Sequence, residues 1–106
     1  MSTTLSTHIL DQVSGRPAAG ITVVLRQQGA LIAEAVTNAD GRVPKLTDAL
    51  KPGDYTLRFE VASYWKSQDA PTFYPFVEIT FTVRSTGHYH VPLLLSPFGY
   101  ATYRGS

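Results

Sequence analysis

Turn-forming residues break this chain at short intervals, and that punctuation limits its fold more than any other feature. The breaks are Ser14-Gly15-Arg16-Pro17, Gln28-Gly29, Asn38-Ala39-Asp40-Gly41, Lys51-Pro52-Gly53-Asp54 and Ser85-Thr86-Gly87. The segments between them are short and rich in β-branched and aromatic residues, which suit a pleated, half-buried surface. The pattern predicts an all-β chain with strands over residues 4–12, 21–27, 31–37, 55–61, 76–84, 90–96 and 100–104. An eighth, shorter strand is expected over 42–45, and a single short helix over 62–69.

Alternation shows which faces are buried. Tyr55, Leu57, Phe59 and Val61 lie on one side, with Thr56, Arg58 and Glu60 on the other. Val77, Ile79, Phe81 and Val83 alternate in the same way with Glu78, Thr80 and Thr82. Strands that bury one face and wet the other belong to antiparallel sandwiches. Residues 91–103, VPLLLSPFGYATY, break the rule because they carry no charge on either face. A strand apolar on both sides is covered on both sides, and a single sandwich has nothing to cover the second face. Oligomerisation is therefore expected. The low charged fraction of 16% points the same way.

With 106 residues, the chain is expected to be one domain over residues 1–106. Nine Lys and Arg against eight Asp and Glu, with no basic cluster, argue against a nucleic-acid partner. The absence of cysteine excludes a disulfide scaffold, a thiol nucleophile and thiolate metal sites. No signal-peptide pattern is visible at the start, and no apolar run is long enough to span a bilayer. A cytoplasmic protein without membrane association is the expectation.

The chain has three histidines, His8, His88 and His90. His88 and His90 stand two apart in a strand and share a face, which Pro92 and Leu94 continue; His8 shares its face with Leu10. Two roles compete with simple surface or interface histidines. A three-histidine zinc site could activate water. Alternatively, imidazoles could work as a metal-free acid and base near neutral pH. That second chemistry needs a donor or cation for the developing oxyanion. Of six arginines, Arg42, which follows the turn at residues 38–41, and Arg104, near the end, are the candidates. Serine chemistry has less support, since no Gly-x-Ser-x-Gly elbow and no phosphate-cradling Gly-rich loop is present.

Several strings together resemble the transthyretin-like proteins. They are Ser6-Thr7-His8-Ile9-Leu10-Asp11, then Gly15-Arg16-Pro17-Ala18, and then Thr37-Asn38-Ala39-Asp40-Gly41-Arg42. The most specific is His88-Tyr89-His90-Val91-Pro92-Leu93-Leu94-Leu95-Ser96-Pro97 followed by Tyr103-Arg104-Gly105-Ser106. It resembles the 5-hydroxyisourate hydrolase branch of that family, end to end. The resemblance implies a prealbumin-like, eight-stranded antiparallel β-sandwich with one short helix. It further implies a homotetramer, a dimer of dimers, with active sites in the channel where dimers meet. The implied reaction converts 5-hydroxyisourate to 2-oxo-4-hydroxy-4-carboxy-5-ureidoimidazoline in urate catabolism, with no metal or cofactor.

The implied catalytic residues are His8, Arg42, His90 and Ser106, with Tyr103, Arg104 and Gly105 joining them around the substrate. One of His8 and His90 would take a proton from water, and the other would pass one to the leaving nitrogen. Arg42 would hold ring carbonyls, and Ser106 would complete the wall through its hydroxyl or carboxylate. His88 is expected at the rim. Two rival readings remain. A carrier could hold a flat apolar ligand against Leu10, Leu94 and Tyr103, and the turn pattern also suits a structural spacer module.

Overall fold

The computed structural model describes residues 3–106. It contains nine strands and one helix. These are β1 (Thr4–Asp11), β2 (Arg16–Pro17), β3 (Thr22–Gln27), β4 (Ala30–Val36), β5 (Arg42–Thr47), β6 (Gly53–Phe59), α1 (Ala62–Ser67), β7 (Val77–Val83), β8 (His88–Ser96) and β9 (Gly99–Thr102). They form two sheets: β2-β1-β8-β9 with β5 also on β1, and β4-β3-β6-β7.

The all-β sandwich with one short helix is as expected. Its details differ from the expectation in several places. The two-residue β2 adds a ninth strand, pairing Leu10 with Pro17 and Asp11 with Arg16. β1 and β8 run parallel, from Thr4↔His88 to Asp11↔Leu95, while the other pairs are antiparallel. Helix α1 ends at Ser67, and Asp69 turns to a left-handed φ of 54°.

Alternation places the core between the sheets. Leu5, Ile9, Leu93 and Leu95 from one sheet meet Val23, Leu25, Leu57 and Phe59 from the other, all fully buried. Each such side chain stabilises the fold by about 1.5–3 kcal/mol relative to exposure. Trp65 from α1 closes one side of this core. α1 has no side-chain N-cap, and a helix of its length needs packing to persist. Tyr64 supplies a second tether, donating its O–H to Asp11 Oδ2 over 2.6 Å.

The opposite face of β1 and β8 carries Thr4, Ser6, His8, Leu10, His88, His90, Pro92 and Leu94, as the alternation predicts. Outer-edge strands β7 and β9 each have one neighbour. Among the described residues, no helix is long and apolar enough to cross a membrane.

Candidate active site

The site forms where three segments meet on the outer face of the β1-β8 sheet. The turn before β5 sets the first. Asn38 Oδ1 accepts N–H bonds from Asp40 (2.9 Å) and Arg42 (3.0 Å), and the Asn38 N–H donates to the Arg42 carbonyl (2.9 Å). Gly41 takes φ +70°, and its carbonyl accepts from Ile9 N–H at 2.8 Å. A Cβ there would stand 2.7 Å from the Ile9 carbonyl oxygen and 2.9 Å from the Ala18 nitrogen. Only glycine fits this approach and this φ. The result is a fixed register in which His8 stands directly opposite Arg42. Directly opposed Cβ atoms lie about 4.5–5.5 Å apart, within interaction range.

The second segment is β8. The parallel register sets His90 beside Ser6 and His88 beside Thr4. Ser6 Oγ lies 2.7 Å from His90 Nδ1 and 2.9 Å from His88 Nε2; Thr4 Oγ1 lies 2.5 Å from His88 Nδ1. The two imidazoles stack at 6.5 Å between centroids.

The third segment is the chain end. It leaves the β9 ladder after Thr102, whose hydroxyl donates to the Pro92 carbonyl at 2.7 Å. It then returns to β8 at Gly105, whose N–H donates to the His90 carbonyl over 2.8 Å. Gly105 packs against the Cγ–Cδ2 edge of the His90 ring; a Cβ there would come 3.1 Å from Cγ and closer still to Cδ2. This return brings Ser106 into a cavity of about 300 Å³ with Ser6, Arg42, His88 and His90.

Electrostatics in this cluster favour neutral imidazoles. Burial, and then the Arg42 charge, lower the pKa of His8 below 6.5, against a smaller upward pull from Asp40. His90 is likewise lowered, first by burial and then by Arg42, His8 and His88, with an opposing contribution from Ser6. A half-buried imidazole beside a guanidinium therefore keeps a free lone pair at neutral pH and can accept a proton. Among the described residues, no three His, Asp or Glu side chains converge as a metal-ligand set.

Of the residues expected at the site, Arg42, His90 and Ser106 line this cavity. His8 adjoins it across the ladder from Arg42, and Gly105 backs the His90 ring. Tyr103 and Arg104 are placed elsewhere. They line a different cavity with Phe81 and Tyr89, and the Arg104 guanidinium stands 4.4 Å over the Tyr89 ring. The tail crosses there toward β7 before it returns at Gly105. Ser6 and Thr4 were not expected at the site, although Ser6 shares the period-two face of His8. The register that brings its hydroxyl to two imidazoles is not a local sequence pattern.

A family model described as HIUase/Transthyretin family matches residues 5–105. A mouse protein named 5-hydroxyisourate hydrolase is 46% identical, over 99% of this chain and 97% of its own length. A Deinococcus radiodurans protein of the same name is 49% identical, over 96% and 95%. Among solved structures, the 5-hydroxyisourate hydrolase of Klebsiella pneumoniae superposes with a TM-score of 0.90 at 40% identity, covering 98% of this chain and 94% of that one. Sea bream transthyretin in complex with thyroxine gives 0.89 at 34% identity, over 95% and 93%. With the match running nearly end to end, this chain belongs to the HIUase/transthyretin family.

Proposed function

We propose that this protein hydrolyses 5-hydroxyisourate to 2-oxo-4-hydroxy-4-carboxy-5-ureidoimidazoline in urate catabolism, using side-chain acid–base catalysis. The observation that carries the reading is the juxtaposition of two imidazoles of lowered pKa with a guanidinium beside one open cavity. The names of the mouse, Deinococcus and Klebsiella relatives support the choice of substrate.

In this mechanism Arg42 binds the ring carbonyls with its planar fork of donors. A neutral histidine, His8 or His90, removes a proton from water as the water oxygen bonds to the cyclic amide carbon. Negative charge collects on the carbonyl oxygen, where Arg42 stabilises it. The C–N bond then breaks as the proton taken from water passes, relayed through the other histidine, to the leaving nitrogen, and the ring opens to a carboxylic acid that ionises to the carboxylate. Ser106 completes the polar wall through its hydroxyl. Groups of this kind contribute roughly 10²–10⁴-fold each. A carrier of apolar rings has little use for this polar set.

The working unit is a homotetramer, a dimer of dimers, with the sites in the channel between dimers. Two observations support it. Edge strands β7 and β9 are open, and an open edge invites pairing with a second chain. Leu10 and Leu94 are only partly buried on the outer face, and Tyr100 and Tyr103 remain 41% and 58% exposed. In the tetramer, Tyr103 and Arg104 reach the substrate from the neighbouring tail segment.

The test is the ultraviolet decay of freshly made 5-hydroxyisourate at sub-stoichiometric protein with a chelator present. Accelerated decay is expected. Decay at the spontaneous rate from folded protein would overturn the reading.

A further inference from the structure

Ser6 touches two imidazoles with a hydroxyl that has one proton to give. Its Oγ is 2.7 Å from His90 Nδ1 and 2.9 Å from His88 Nε2. Ser6 is 7% exposed, so water does not readily substitute for either partner. Among the described residues the Ser6 hydroxyl has no third partner, so its proton is satisfied only by donating to one nitrogen while its oxygen accepts from the other. The tautomers of His88 and His90 are therefore coupled, and the chain Thr4–His88–Ser6–His90 has only two polarities.

In one polarity, Ser6 donates to His90 Nδ1. The ring proton of neutral His90 then sits on Nε2, and His90 has no lone pair left for water. In the other, His90 Nδ1–H donates to Ser6, Ser6 donates to His88 Nε2, and His88 Nδ1–H donates to Thr4 Oγ1. Nε2 of His90 then keeps its lone pair. Nδ1 of His90 is occupied by Ser6, and the Cδ2 edge is backed by Gly105. Nε2 makes no hydrogen bond among the described residues and is the ring atom left to address the cavity. The groups facing His90 are Arg42 from β5, His8 from β1, His88 from its own strand and Ser106 from the tail. A guanidinium attracts a lone pair and repels an N–H, which selects the second polarity.

We propose that Ser6 and His88 are positioning residues that hold His90 with its proton on Nδ1 and its Nε2 lone pair toward the cavity. The inference rests on the hydrolytic reading above, and gives His90 rather than His8 the role of base. When His90 takes a proton from water, its Nδ1–H still points at Ser6, and the bond becomes charge-assisted and stronger. The bridge thus holds the imidazolium better than the neutral ring, as an orienting group for a base must.

Histidine-ring ¹⁵N NMR on the full chain at neutral pH tests this directly. Wild type should show His90 protonated on Nδ1. Ser6→Ala should shift it toward the Nε2-protonated form and lower kcat roughly tenfold, the weight of one hydrogen bond, with KM within about twofold. Ser6→Thr, which keeps the hydroxyl, should restore both. His88→Phe, at an exposed position, should move tautomer and kcat in the same direction by less. The tautomer of wild type and of His88→Phe decides the matter even if Ser6→Ala does not fold. A wild-type His90 protonated on Nε2, or a folded Ser6→Ala with unchanged tautomer and kcat, would overturn the proposal. The tautomer needs no turnover, so a wild type inactive on 5-hydroxyisourate would count against the hydrolytic reading without deciding this one.

Discussion

Gly105 donates its N–H to the His90 carbonyl over 2.8 Å while its bare Cα lies against the His90 ring. One residue of the tail thereby fixes both the backbone and the ring plane of a site histidine. Gly105→Ala should displace that ring. The tail packs at the surface, so the melting temperature should change little. Misplacement by about an ångström can lower the rate roughly 10²-fold. Steady-state kinetics beside a thermal melt checks this; an alanine variant with wild-type kcat would show that the ring plane does not matter.

Removing residues 104–106 tests the tail as a whole. Loss of the Gly105 bond and of Ser106 from the cavity should abolish detectable acceleration, while circular dichroism still reports a folded β-sandwich. Retained turnover by the shortened chain would contradict the placement of the tail in the site.

Burial first, and then the Arg42 charge, depress both site histidines, so both contribute to the acid limb of the pH profile. Wild-type kcat/KM should fall only below pH 6.5, where the neutral base becomes protonated. Arg42→Gln removes the repulsion and should move that midpoint upward toward 6.5. It should also lower kcat/KM roughly 10²–10³-fold through loss of oxyanion stabilisation. A midpoint that stays fixed would exclude Arg42 as a cause.

Asp11 ties β1 to α1 and has an acid-side signature of its own. Burial raises its pKa, but the Tyr64 O–H and the N–H groups of Ser14 and Val13 outweigh that and leave it lowered. A carboxylate lowered in the folded state adds stability above its unfolded pKa, and that stability is lost as pH falls through the folded value. Tyr64→Phe should cost about 1 kcal/mol at neutral pH and less in acid, measured by urea unfolding. An equal loss at both pH values would show that the bond does not depend on the charge.

Gly41→Ala addresses the turn that aims Arg42. A left-handed alanine costs about 1–3 kcal/mol, and the clash with Ile9 and Ala18 adds to it. Unfolding by denaturant should show at least that loss. A neutral substitution would mean the turn relaxes freely.

Much of this arrangement was legible in the chain. The alternation in β6 and β7 gave their buried faces, and the histidine spacing placed His88 and His90 on the face opposite Leu93 and Leu95. What escaped depends on partners far apart in sequence. The parallel pairing of β1 with β8 joins residues more than 80 positions apart, and it alone brings Ser6 to His90. The two-residue β2 is too short for any periodicity. The sequence pattern continues the last strand through residue 104, but the tail leaves the ladder after Thr102. That departure sends Tyr103 and Arg104 toward Phe81 and Tyr89 and lets Gly105 return to His90.

The most direct test compares wild type and His90→Ala on freshly generated 5-hydroxyisourate, at equal concentration of folded protein and with chelator present. Wild type should accelerate the decay catalytically, and His90→Ala should lose roughly 10²-fold or more of that acceleration. A His90→Ala rate within a few-fold of wild type would contradict the two-histidine mechanism.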